Sequence, residues 1–510
     1  MNTGTRAFFS GRRLQRSSWP LLLFLLALNA TACAARQAPA VALTDAAARA
    51  ALRTDLAAVF DGPEFDRSLW GVVVQSLDTG ETLFARNPTT LMMPASNMKI
   101  LTLAASIERL GWDHTFETRL VTSAPLQDGA LQGDLIVVGG GDPSIGGRVG
   151  DEGRVLASWA DALWAAGLRS INGRLIGDDD LFDDDGVGEG WSWDDLALGY
   201  AAPVGALSYD ENAVELAVTP GAGVGDPAVL TLHPSHGGLA IDNQTVTQPA
   251  PAPLALALRR PPDVPRLVAR GTVPQGMAEF VRTVSVVNPT DFFLSAFHDA
   301  LLARGITVSG PTLDIDLVTP RPDVFGARLL LSHRSPPLSE LALPLMKVSR
   351  NLYGETLLKT LGTALGQPGS ARTGREALRE TVEAWGIPPD SFIVSDGSGL
   401  SRYNYAAPEA LVAVLRRLAD DERFEATLPV AGRDGTLENR LQGTPAEDNA
   451  RAKGGSMSNV RALSGYLRTR DRERLVFSIV ANNFDAAPAV VDRAVDLAVA
   501  RLAAFSRSTP

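Results

Sequence analysis

The chain has 510 residues, 45 % hydrophobic and 21 % charged, the balance of an ordinary globular protein. Its formal charge is −11, and removing residues 1–32, with their four arginines and no acid, takes it to −15. A body this acidic argues against a nucleic-acid partner, because phosphate binding relies on basic patches. The five scattered histidines (His114, His233, His236, His298, His333) and single cysteine form no metal-ligand cluster, so no metal or other cofactor is expected.

Four arginines, Arg6, Arg12, Arg13 and Arg16, precede the apolar run "WPLLLFLLAL" and the small residues "NATACAA". That is the layout of a secretory signal peptide over residues 1–32, with an apolar run too short for a membrane span. Cys33 has no second cysteine to pair with, so an internal disulfide is excluded. Either Cys33 is the lipid-accepting cysteine of a bacterial lipoprotein, or Ala30-Thr31-Ala32 is an ordinary cleavage site and Cys33 merely follows it. The expected location is the periplasm, with an outer-membrane anchor through Cys33 if it carries lipid.

After a Pro/Ala-rich linker, residues 33–43, the spacing predicts an amphipathic helix over Thr44 to Phe60. "SLWGVVVQSLDTGETLFARNP" predicts a hairpin turning at Asp78-Thr79-Gly80. Next comes "MMPASNMKILTLAAS", a helix apolar on nearly every face and ended by Gly111, hence a buried one. It contains one lysine, Lys99, a helical turn after Ser96. As a helix cap, Ser96 would leave Lys99 to reach solvent; buried, Lys99 must have its charge matched or its pKa lowered.

From Glu117 the texture turns to short β-like runs broken by Gly, Asp and Pro, lasting to Val286. Within it "GGGDPSIGG" lacks the Gly-Lys-Ser/Thr ending of a phosphate loop and reads as a turn-rich loop. Helical patterns return with "TDFFLSAFHDALLARGI", "LYGETLLKTLGTAL" and "APEALVAVLRRLAD". A hairpin turning at Arg470 to Glu473 and a helix from Pro488 close the chain. The expected fold is α/β (α+β), an antiparallel sheet flanked by helices and interrupted by a β-rich insertion. Residues 44–120 and 287–510 would form the catalytic domain, and 121–286 the insertion, as two small domains.

Two further stretches complete a pattern: Ser349-Arg350-Asn351 in "MKVSRNLYGE" and Lys453-Gly454-Gly455-Ser456 in "RAKGGSMSNV". The order Ser-x-x-Lys, Ser-x-Asn, Lys-x-Gly matches the motif set of penicillin-binding proteins and serine β-lactamases. With "PASNMK", "GDLIVVGGGDPS", "GDDDLFDDD", "GWSWDDL", "AAPVGALSYDEN", "SRNLYGE", "SDGSGLSRYN", "AGRDGTLENRL" and "ALSGYL", the chain resembles the class C low-molecular-mass penicillin-binding proteins. These are D-alanyl-D-alanine carboxypeptidase/endopeptidases of the DacB type. The resemblance covers nearly everything after residue 45, and accounts for the long gap between Ser96 and Ser349, since that branch carries a large insertion there.

The resemblance implies a secreted serine DD-peptidase. It would cleave D-Ala-D-Ala, or D-Ala-diaminopimelate cross-links, in peptidoglycan stem peptides, and β-lactams would inhibit it covalently. A serine hydroxyl is a poor nucleophile until a neighbour takes its proton. Lys99, on the same helix face as Ser96, is the expected base, with Lys453 the nearby cation that lowers its pKa and draws the substrate carboxylate. Ser349 is placed to relay a proton to the leaving amine, and Asn351 to hold the substrate amide carbonyl and orient Lys99. The resemblance puts the oxyanion hole at the backbone N–H groups of Ser96 and Ser456.

One residue departs from the pattern. Gly454 stands where threonine is usual, and the missing hydroxyl normally helps bind the terminal carboxylate of the substrate; Ser456 keeps a hydroxyl two residues on. A β-lactamase or esterase on the same scaffold, and a wall-binding lipoprotein with vestigial catalysis, are the alternatives. In "GWSWDDLALGY", Trp191 and Trp193 stand beside Asp194 and Asp195, with Tyr200 close by. This is either a structural loop with solvated acids or a subsite for the free ammonium of diaminopimelate. For the second, the resemblance implies Asp195 as ligand and Tyr200 as wall, with Met457 facing them from the catalytic domain.

Overall fold

Five antiparallel strands make the central sheet, in the order Thr82–Arg86, Leu69–Ser76, Arg474–Asn482, Val460–Arg468, Arg451–Met457. The structure, a computed structural model, describes residues 44–146, 154–235, 238–261, 264–364, 366 and 368–507. The expected signal peptide, the linker with Cys33, and His236 lie outside the described residues.

Side chains alternate across a strand, and here both faces of the sheet are covered. Val72, Val74, Phe477 and Ile479 point into one core, packed by helices Asp45–Phe60 and Pro488–Ala504. Val73, Val476 and Val480 point into the other, packed by helices Met98–Leu110 and Pro408–Arg417. That is why "LVFSIVA" reads as a continuous apolar run rather than an alternating one. Phe477 is fully buried, and its replacement by alanine would cost about 3–5 kcal/mol. Helix Asp45–Phe60 starts where Thr44 accepts the Ala47 N–H, and it buries Ala48, Leu52, Leu56 and Phe60, a stripe spaced by four.

The inserted segment is larger than its β-rich texture indicates. A second five-stranded sheet runs Thr312–Asp314, Leu175–Asp178, Leu135–Val138, Glu117–Thr122, Arg328–Arg334. Strand Arg328–Arg334 pairs antiparallel with Glu117–Thr122, so the chain leaves and returns on neighbouring strands. The return to the catalytic part therefore follows Arg334, not residue 287. Helix Pro289–Arg304, whose pattern looked like that return, packs Phe293, Leu294 and Phe297 against Trp159 of the insertion. A separate core around Val214, Leu216 and Val284 holds two three-stranded sheets of the insertion. The described residues nevertheless make one compact unit.

Candidate active site

Ser96 lies in a single 3-10 turn, Ala95–Asn97, directly ahead of helix Met98–Leu110, and does not cap it. Lys99, in the first turn of that helix, is fully buried, so the solvent-reaching alternative is excluded. The turn is held from two sides. Asn482, in the middle strands of the sheet, accepts from the Met93 N–H (2.7 Å) and donates to the Met93 carbonyl (3.1 Å). Asn97 donates to the carbonyl of Lys453 on the edge strand (2.9 Å). The backbones touch closely there: a Cβ on Gly455 would stand 2.7 Å from the Pro94 carbonyl oxygen and 3.1 Å from the Ser96 nitrogen. Only glycine lets the edge strand come so near the serine.

The Lys99 amine has three neighbours: Ser96 Oγ at 3.1 Å, Asn351 Oδ1 at 2.7 Å and the Ser398 carbonyl at 2.6 Å. Two of these are acceptors only. A neutral amine keeps its two N–H bonds on them and turns its lone pair to the Ser96 hydroxyl. The Asn351 amide is oriented by its other end, where Nδ2 donates to the Tyr200 carbonyl at 2.8 Å, leaving Oδ1 toward Lys99. Burial brings the Lys99 ammonium down to about 8, although the charges of Asp396 and Glu355 pull the other way. Lys453 is also fully buried and pushed well below the ordinary lysine value, first by burial and then by the charge of Lys99.

Lys453 Nζ donates to Ser349 Oγ at 2.9 Å and to the Gly454 carbonyl at 2.7 Å. Ser349 holds a left-handed backbone, φ 63°, immediately before helix Asn351–Thr363. Such strain in a non-glycine residue persists where surrounding packing enforces it, and here the hydroxyl lies against the Lys453 amine.

The turn carrying Ser398 is part of "SDGSGLSRYN", one of the stretches that carry the family resemblance, but its spacing assigns no chemical role to any residue in it. Buried Glu355 accepts the N–H groups of Gly397 (3.1 Å) and Ser398 (2.8 Å). Burial, and then the charge of Asp396, push its carboxyl up to about 7. Asp396, fully buried, accepts from the backbone of Gly399 (2.7 Å) and Ser401 (2.6 Å), from Asn404 Nδ2 (2.6 Å), and from Trp191 Nε1 (2.8 Å). Gly399, φ 85°, is obligatory, since a Cβ there would lie 1.9 Å from the Ala95 carbonyl oxygen.

A cavity of about 270 Å³ is lined by Ser96, Ser349, Asn351, Ser456, Asp195, Tyr200 and Met457, bringing these expected residues to one cleft. Tyr200 is half exposed and its hydroxyl donates to Asp195 Oδ1 at 2.7 Å. The neighbours in "GWSWDDL" face elsewhere: Asp194 pairs with Arg259 at 3.5 Å, and that guanidinium lies over Trp193. Trp191 is absorbed in the Asp396 network.

Residues 52–504 match the D-Ala-D-Ala carboxypeptidase 3 (S13) family. The chain belongs to this family. The D-alanyl-D-alanine carboxypeptidase of Actinomadura sp. (strain R39) is 34 % identical over 481 residues, covering 91 % of this chain and 87 % of that protein. The D-alanyl-D-alanine carboxypeptidase DacB of Haemophilus influenzae is 28 % identical over 421 residues, covering 81 % and 85 %. The crystal structure of penicillin-binding protein 4 from H. influenzae superposes with a TM-score of 0.76 at 26 % identity, over 89 % of this chain and 97 % of that one. The protein is thus a D-Ala-D-Ala carboxypeptidase of the DacB type, with the expected penicillin-binding fold.

Proposed function

We propose that this carboxypeptidase is a serine peptidase that acts on peptidoglycan stem peptides through an acyl-enzyme on Ser96. The observation that carries the reading is the Lys99 amine, fixed between two pure acceptors with Ser96 Oγ as its third neighbour. With the ammonium brought down to about 8, about a tenth of the lysine is neutral at pH 7. Ser96 Oγ attacks the carbonyl carbon of the penultimate D-alanine as its proton passes to Lys99. The oxyanion is held by the N–H groups of Ser96 and Ser456. The leaving amine takes a proton from Ser349, which is resupplied from Lys453, and the C–N bond breaks. Water then attacks the ester, its proton passing through Ser349 to refill Lys453 while Lys99 returns its proton to the departing Ser96 oxygen, and the shortened peptide is released.

The same cleft serves cross-linked substrates, so endopeptidase action belongs to the proposal. On that reading Asp195, braced by the Tyr200 hydroxyl, pairs with the ammonium of diaminopimelate while Met457 covers its chain. β-Lactams, which imitate the acyl-D-Ala-D-Ala bond, acylate the same serine; the H. influenzae relative has a crystal structure with a β-lactam. We place the enzyme in the periplasm, exported by residues 1–32 and anchored through Cys33. Digestion of purified cross-linked muropeptides tests the activity: free D-alanine and monomeric muropeptides are expected, and neither appearing would refute it.

A further inference from the structure

Beside the cleft described above, a second cavity of about 530 Å³ opens from Ser96 and Ser349 along the other side of Gly454. A Cβ built on Gly454 meets a single heavy atom within 4 Å, the Thr436 hydroxyl oxygen, at 3.6 Å. The space that a threonine side chain would fill at position 454 is therefore open, and another threonine's hydroxyl borders it. Thr436 is exposed to the cavity, and among the described residues its hydroxyl has no hydrogen-bond partner.

The surroundings fix that hydroxyl and favour an anion. Thr436 sits in the 3-10 turn Gly435–Leu437, whose Leu437 is fully buried. The preceding Asp434 carboxylate accepts from Lys347 Nζ (2.8 and 2.7 Å) and from the Val430 N–H (2.9 Å). Lys347 stands two residues before Ser349, so the turn is tied to the segment that carries the relay serine. The cavity wall holds three arginines against two aspartates. Arg440 is bound to Asp496 (2.6 Å) and Arg461 to Asp492 (3.2 Å), while Arg493 is exposed and forms no ion pair among the described residues.

We infer that Thr436 supplies the hydroxyl that Gly454 lacks, donating a hydrogen bond to the terminal carboxylate of the substrate in a cavity kept cationic by Arg493. A carboxylate draws a charge-assisted hydrogen bond, and a hydroxyl on a tethered turn reaches it without a side chain on the strand. The opened space also admits a terminal residue bulkier than alanine. The inference rests on Ser96 being the nucleophile, and its test separates the two claims.

The experiment compares kcat/KM for a stem-peptide mimic ending in D-Ala-D-Ala with that for its carboxyl-terminal amide, in enzyme shown to take up penicillin stoichiometrically. Wild type is expected to prefer the free acid. Thr436→Val should cut that preference about tenfold, Thr436→Ser should keep it, and Gly454→Thr added to Thr436→Val should restore it. Gly454→Thr alone should raise the preference less than about twofold, the position being already served. An unchanged preference in Thr436→Val, or about a tenfold gain in Gly454→Thr alone, overturns the inference. The second arm reads the answer even if Thr436→Val does not fold. Wild-type enzyme that takes up no penicillin contradicts the nucleophile assignment instead.

Discussion

At the scale of single residues, the chemistry turns on which state Lys99 occupies. In the proposed mechanism the neutral amine is the base, so acylation should rise with pH and level off above about 8, the value to which burial brings the group. Stopped-flow acylation by penicillin across pH 6 to pH 10 measures this, and a flat profile would remove Lys99 from the step. Lys99→Arg keeps a cation that stays protonated, and should slow acylation by about 10²–10⁴-fold. The residue proposed to read the substrate should behave differently. Asp195→Ala should lower kcat/KM for diaminopimelate peptides by about tenfold to hundredfold while leaving penicillin acylation nearly unchanged. Equal losses for both substrates would mean that Asp195 supports the fold alone. Motif spacing set Ser96 and Lys99 three residues apart, and the structure brings their side chains within 3.1 Å; Asp195 was implied by the family resemblance alone. That Lys99 is buried was legible in the all-apolar helix; the Ser398 carbonyl that holds its amine, hundreds of residues away, was not.

At the scale of elements, the nucleophile helix is completed by the turn 395–404 and by helix Asn351–Thr363, which hold one another through Glu355. Its two oxygens each take a backbone N–H of the turn whose Ser398 carbonyl holds Lys99. Glu355→Gln places an N–H₂ against one of those donors, leaving a buried group unpaired at roughly 1–3 kcal/mol. A lower Tm is therefore expected. The charge effect has a definite sign: the Glu355 anion favours protonated Lys99, so its removal moves the acylation midpoint to lower pH. A variant with reduced Tm but an unmoved midpoint would leave Glu355 a purely structural role. Hairpins and terminal helices were legible because turn residues and apolar period mark them locally. The Glu355–Asp396 network was not, since neither periodicity nor spacing reveals a contact between a helix and a distant turn.

At the scale of the whole molecule, an insertion leaves the catalytic part at Glu117 and rejoins it after Arg334, yet contributes Asp195 and Tyr200 to the cleft and Trp191 to the Asp396 network beside it. Its boundary was misjudged from sequence because it contains its own helices, and helical texture looked like a return to the catalytic part. Export and anchoring belong to this scale too. Fractionated cells should show the wild-type protein with membranes and Cys33→Ser in the soluble periplasmic fraction; wild type found wholly soluble would contradict the anchor. The central claim is a covalent intermediate on Ser96 raised by Lys99. Its most direct test is intact-protein mass spectrometry with peptide mapping after incubation with penicillin. The account predicts one penicilloyl adduct per chain, carried on Ser96 and absent from Ser96→Ala. An adduct that persists in Ser96→Ala, or maps to any other residue, would contradict it.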